Sequence, residues 1–181
     1  AEKLGRPVGR YITLTATDST FDMYSDSFRE RAEVIAKAIR ELCCGCERFL
    51  AVGLGNYALT SDAVGPLTAE KIFATRHIKS LAKEIDTDDL GEVTVIQPGV
   101  LGNTGIESSE QVKAIAERVT PQAIIAVDAL ACSELSNLGR TIQLCNTGIS
   151  PGSGVENARK ELSLSTLGVK CIAIGVPTVI D

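Results

Sequence analysis

The apolar runs of this chain dictate its possible folds more than any other feature. "RFLAVGLG" (48–55), "EVTVIQP" (92–98), "AIIAVDAL" (123–130) and "KCIAIGVP" (170–177) have cores of Ile, Val and Ala that do not alternate with polar residues. A strand apolar on both faces must be covered on both faces, as in a parallel sheet. "RTIQLCNTG" (140–148) reads as a further strand, and "YITLTA" (11–16) as one able to pair at an edge. Helical periods separate them. In "SDSFRERAEVIAKAIRELCCG" the residues Phe28, Ala32, Ile35, Ala36, Ile39 and Leu42 share a face, and Gly45 closes the helix. "DAVGPLTAEKIFATRHIKSLAKE" (62–84) is a second helix, with Thr60 or Ser61 as N-cap and Pro66 near its first turn. "ESSEQVKAIAERV" (107–119) is a third, with Ser108 and Gln111 at capping-box spacing. Strands alternating with helices predict a single-domain, three-layer α/β fold: an open, mainly parallel sheet with helices on both faces.

At 181 residues the chain suits one domain with a sizeable core. A net charge of −5 without a Lys/Arg cluster argues against a nucleic-acid surface. No apolar run approaches the roughly 18 residues needed to span a bilayer, and the start lacks the basic and apolar blocks of a signal peptide. Cys43, Cys44 and Cys46 crowd the end of the first helix with no second pair at zinc-binding spacing. Cys132, Cys145 and Cys171, in or beside strands, read as small buried hydrophobes of a reducing cytoplasm.

Chemistry concentrates in "FLAVGLGNYALTSDAVGP" (49–66), where a strand breaks at a glycine turn and Asp62 follows. Gly53, Gly55 and Ala58 match the dinucleotide-binding pattern in form. The helix begins too late for it, though, and no acidic residue ends a second strand about 20 residues on. Asp62 alone fits an acid in a helix's first turn, favoured by the macrodipole. Asp128 changes that reading. It closes an apolar run, and a buried strand has little reason to end in a carboxylate unless a cation or a site uses it. In open α/β sheets ligands bind beyond the strands' C-terminal edge. Two carboxylates there suffice for acid–base hydrolysis: close together they do not readily both ionise, so one serves as acid and one as base. The backbone N–H groups of Gly55 and Asn56 are candidate oxyanion donors. The Gly/Ser/Asn-rich loops 98–108 and 146–157 could hold an extended peptide. Their shared Asn-Thr-Gly-Ile (103–106 and 146–149) is no pepsin-type motif, because Asn is neither acid nor base. His77, the only histidine, stands about four turns from Asp62 in a continuous helix and suits a C-terminal cap better than a triad.

The blocks "VGLGNYALTSDAVGP", "TRHI", "PGVLGNTGIES", "VDALA", "TIQLCNTGISPGSGVENARKEL" and "TLGVKCIAIGVPTVID", with "LGRPVGRYITL" before them, resemble in order the core of the spore germination protease family. Glu156 stands where that family more often has Gly. The resemblance implies a catalytic core over residues 1–181, with the family's N-terminal propeptide and C-terminal part outside this sequence. It also implies a fold similar to that of hydrogenase maturation endopeptidases. It implies an endopeptidase, made as a zymogen, that degrades small acid-soluble spore proteins in the spore-core cytoplasm during germination. In that family two aspartates do the chemistry of an atypical aspartic protease, and they correspond to Asp62 and Asp128. No metal or other cofactor, nucleic acid or membrane is implied, and the resemblance implies a homo-oligomer, a tetramer. Two rivals remain on the residues alone: a metal-guided processing endopeptidase of the hydrogenase maturation type, and a catalytically inactive scaffold relative.

Overall fold

A computed structural model describes residues 6–17, 27–81, 87, 90–150 and 161–181. Glu156, with most of the 146–157 loop, lies outside the described residues, as do the final residues of the expected 62–84 helix. The strands are β1 (Tyr11–Thr15), β2 (Arg48–Gly53), β3 (Glu92–Ile96), β4 (Ala123–Cys132), β5 (Thr141–Cys145) and β6 (Lys170–Ile180). The helices are α1 (Phe28–Leu42), α2 (Val64–Lys71), α3 (Arg76–Leu81), α4 (Leu101–Thr104), α5 (Ser108–Val119) and α6 (Leu164–Leu167). The strands form one sheet in the order β1-β5-β6-β4-β2-β3. β3, β2, β4 and β6 are mutually parallel; β5 runs against β6, and β1 runs against β5 at the edge. The expected open, mainly parallel sheet is therefore present, with the early strand at its edge.

Alternation along β4 sorts the two sides of the core. Ala123 and Val127 join Ile172 and Ile174 of β6 under Ala38 and Leu42 of α1. Ile124 and Ala126 join Leu50 and Val52 of β2 under Val112 and Ala116 of α5. Helices thus cover both faces, which is why the strands read as continuous apolar runs. Phe28, expected on the apolar face of α1, is instead 49% exposed. Among the described residues no helix is long and apolar enough to cross a membrane.

The segment expected as one helix over 62–84 is broken. Thr60–Asp62 form a 3-10 turn, α2 follows after Ala63, and the chain turns extended at Ile72 before α3. The cause is Thr75. Its N–H donates to Val93 O (3.1 Å), its hydroxyl to Gly91 O (2.5 Å), and it accepts the Val93 N–H (2.9 Å). The chain leaves the helix to satisfy the start of β3. His77 consequently stands near the N-terminus of α3, not at a C-terminal cap. Neither Thr60 nor Ser61 caps α2, and the Ser108–Gln111 capping box does not form: Ser108 Oγ donates to Gly99 O (2.9 Å) and Gln111 Nε2 to Pro98 O (3.0 Å). Those two bonds anchor the loop after β3.

All six cysteines are free thiols, and only Cys43 and Cys171 are buried; Cys44 is exposed, and Cys46, Cys132 and Cys145 are half-buried. Cys132 and Cys145 are the last residues of β4 and β5. Burial, with Cys46 nearby, pushes the Cys43 thiol up from 9.0 to about 11. Burial, with Glu161 nearby, pushes Cys171 up from 9.0 to about 12. Both thiols stay protonated when folded at a pH where the unfolded chain ionises them. Their contribution to stability is complete below about pH 9 and is lost as pH rises through about 11–12. The fall in urea midpoint between pH 8 and pH 10 should therefore be shallower in Cys171→Ala than in the wild type. Thr75→Val should cost about 1–3 kcal/mol in urea unfolding, because it strands the Val93 N–H.

Candidate functional site

The parallel pairing of β2 and β4 builds the site. Their register ends with Gly53 opposite Val127, and Leu54 N–H still donates to Val127 O (2.8 Å). β2 then stops, but β4 does not end at Asp128 as its sequence suggested. It runs on to Cys132, because β6 pairs its other edge as far as Ile180. Asp128 is therefore a residue inside β4, opposite Gly175, and it stands just past the last β2 partner. It is 5% exposed, and its Oδ1 accepts the Ala129 N–H (3.0 Å). Alternation puts it on the face of Ile124 and Ala126.

Asp62 reaches the same rim by a tight turn. The Asn56 N–H donates to both Asp62 Oδ2 (2.8 Å) and Asp62 O (3.1 Å), and Asp62 N–H donates to Leu59 O (2.8 Å). Gly55 adopts φ +114, and a Cβ there would lie 2.1 Å from Asp62 O and 2.9 Å from its Oδ1. Only glycine fits both demands. The 3-10 turn packs against β4 and β6, and Thr178 Oγ1 of β6 donates to Ser61 O (2.5 Å). Behind it, Gly65 lets α2 lie on the backbone, since a Cβ there would meet Leu54 O at 2.1 Å and Val127 O at 2.5 Å.

The geometry thus brings the turn of Asp62 onto the strand that holds Asp128. It reassigns Asn56, however: the amide expected to face an oxyanion is committed to Asp62, so it orients that carboxylate. Asn56 also braces its own turn, accepting the Ala58 N–H at Oδ1 (3.0 Å). His77 lies on α3, which packs against β3. Among the described residues no three His, Cys, Asp or Glu side chains gather in a way that could hold a metal ion.

A cleft of about 250 Å³ opens beside the turn, between Gly55–Ala58 with Pro66 on one side and Gln97, Gly99 and Asn103 on the other. Of these, sequence reasoning singled out Gly55 and Asn56 but missed Tyr57 and Gln97. Thr178 was missed too, since no local pattern links position 178 to position 61. Asp62→Ala, which deletes the carboxylate acceptor of the Asn56 N–H and leaves the Asp62 carbonyl, should lower unfolding free energy by about 1–2 kcal/mol, while Asp62→Asn should lower it by less. Gly55→Ala should cost about 2 kcal/mol or more, from positive φ and the clash with Asp62. Chemical denaturation of the purified variants checks all three.

The family model described as germination protease matches residues 1–181. The germination protease of Clostridium perfringens (strain ATCC 13124) is 42% identical over 184 residues, covering 100% of this chain and 56% of the relative. That of Clostridium tetani is 46% identical over 182 residues, covering 98% of this chain and 55% of the relative. That of Oceanobacillus iheyensis is 44% identical over 183 residues, covering 98% and 50%. The chain spans about half the length of the curated relatives it matches. Among solved structures, a NiFe hydrogenase maturation protease, HycI, from Thermococcus kodakarensis KOD1 aligns with a TM-score of 0.46 and 19% identity, over 77% of this chain and 80% of that one. On the full-length family match and these identities, the chain belongs to the germination protease family.

Proposed function

We propose that this chain carries the catalytic core of an endopeptidase that degrades small acid-soluble spore proteins during germination, with Asp62 and Asp128 activating the attacking water. One observation carries the reading: the turn bearing Asp62 packs against β4, the strand in which Asp128 is buried. The family match supports the reaction class. One carboxylate takes a proton from the water as its oxygen attacks the scissile carbonyl carbon. The other, protonated at the outset, gives its proton to the leaving amine as the C–N bond breaks. No acyl-enzyme forms. The Asn56 N–H on Asp62 Oδ2 holds one carboxylate oxygen and leaves the other to meet the water.

Among the described residues no three His, Cys, Asp or Glu side chains gather as a metal set, so the reaction is assigned to the acids alone. The reading further includes synthesis as a zymogen, action in the cytoplasm of the spore core, and a homo-oligomer, taken as a tetramer.

Asp62→Asn and Asp128→Asn, each made in the intact protein, should lower turnover of a small acid-soluble spore protein by roughly 10²–10⁴-fold, the span of general acid–base catalysis. Circular dichroism should stay unchanged. Cleavage by the wild type should survive chelator. Near-normal turnover by either variant overturns the paired-acid mechanism. Loss of cleavage in chelator, with recovery on one divalent ion, favours a metal-guided endopeptidase.

A further inference from the structure

The string Cys-Cys-Gly-Cys (43–46) closes α1 and puts Cys43 and Cys46 at the C-x-x-C spacing of redox-active dithiols. The chain between them is a tight turn: the Cys46 N–H donates to Cys43 O (3.0 Å), and Gly45 takes φ +78. The first and fourth residues of such a turn have Cα atoms within about 7 Å, and a disulfide spans Cα separations of roughly 4.4–6.8 Å. The backbone thus holds the two positions at bridging range. The side chains are neighbours too, since the charge of Cys46 acts on the Cys43 thiol. The two sulfurs differ in access. Cys43 is buried in the core beneath α1, whereas Cys46 is half-buried at the margin of that core. Lys170, exposed at the start of β6, brings its Nζ to 3.9 Å from Cys46 Sγ. An ammonium there steadies negative charge gathering on that sulfur during attack. Among the described residues these thiols join no group of three side chains that could hold a metal ion.

We infer that Cys43 and Cys46 form a reversible dithiol–disulfide site whose reaction partner is a low-molecular-weight disulfide, with Lys170 assisting the attack by Cys46. The Cys46 sulfur, having given its proton to solvent, attacks one sulfur of the small disulfide RSSR. A Cys46–S–S–R bond forms and the first RS⁻ leaves. The Cys43 thiol passes its proton to that RS⁻, and its sulfur attacks Cys46 Sγ. The Cys43–Cys46 bond forms, the S–R bond breaks, and the second RS⁻ takes back a proton from solvent. The protein dithiol is oxidised by two electrons and RSSR is reduced to two thiols. Excess small thiol runs the same steps backward. The site lies just before β2, at the opposite end of that strand from the Asp62 turn, so the inference is independent of the peptidase reading.

The test incubates the intact, folded protein with oxidised glutathione, blocks free thiols with N-ethylmaleimide, then reduces and labels the released thiols with iodoacetamide. Tandem mass spectrometry of the tryptic peptide 41–48 reads the label on each cysteine. In the wild type Cys43 and Cys46 should carry the second label and Cys44 the first, and reduced glutathione in excess should return all three to the first. Cys44→Ser should leave this pattern unchanged. Cys43→Ser should stop at one glutathione on Cys46, and Cys46→Ser should form no disulfide in this peptide. Lys170→Gln should slow disulfide formation roughly 5-fold, the loss of one nearby charge in a solvated setting, and Lys170→Arg should keep the rate. The wild-type pattern decides the pairing without any variant, so a variant that fails to fold does not shelter the inference. Three thiols that stay open to N-ethylmaleimide at equilibrium with oxidised glutathione overturn it. So does a bridge that uses Cys44, or a glutathione adduct on wild-type Cys46 that never closes. An unchanged rate in Lys170→Gln overturns the part given to Lys170.

Discussion

The Asn56 amide, shared between the carboxylate and the carbonyl of Asp62, is the bond on which this rim depends. It closes a loop of seven residues so that an acid from the far side of the turn is delivered back to the end of β2. A donor on a carboxylate is among the stronger hydrogen bonds a protein makes. It can form here because Gly55 takes a backbone conformation closed to other residues and has no Cβ to strike Asp62. Everything outward follows from that closure: the 3-10 turn rests on β4 and β6, Thr178 ties it to β6, and Gly65 brings α2 onto the backbone of Leu54 and Val127.

The sheet supplies the other half. β4 is covered on both faces, so its backbone has little freedom, and a carboxylate held in it is held firmly. Because β2 ends before β4 does, Asp128 lies beyond the last β2 partner yet remains paired to β6. A long central pair, β4 with β6, projects past a shorter neighbour, and the step between them is where the Asp62 turn sits. The same step leaves the rim of β2 and β3 lower, and there the cleft lined by Tyr57 and Gln97 opens. The Asp62 turn and the cleft thus share one edge, the C-terminal edge of the parallel strands, where α/β sheets commonly bind ligands.

Much of this was legible in the residues. Continuous Ile/Val/Ala runs identified strands covered on both faces, because a face buried against helices favours apolar residues, and the glycine turn with Asp62 marked one carboxylate of the rim. Misreadings arose where distant partners compete with local preference. The helix after Asp62 reads as unbroken because its period continues, yet Thr75 leaves it to bond β3. Asp128 reads as a strand end because a charge usually ends a buried run, yet β6 carries the strand onward. Ser108 and Gln111 read as a cap because of their spacing, yet the loop after β3 takes their hydrogen bonds.

The sequence by itself determined the layers of the fold and singled out Asp62 and Asp128 as candidate acids, since both follow from local pattern: periodicity, and the chemistry of a carboxylate beside an apolar run. Only the tertiary structure decided that the Asn56 amide serves Asp62, that Thr178 secures the turn, and that Tyr57 and Gln97 face one cleft. Those facts join residues up to 117 positions apart, through hydrogen bonds and surfaces that exist only once the strands have packed side by side.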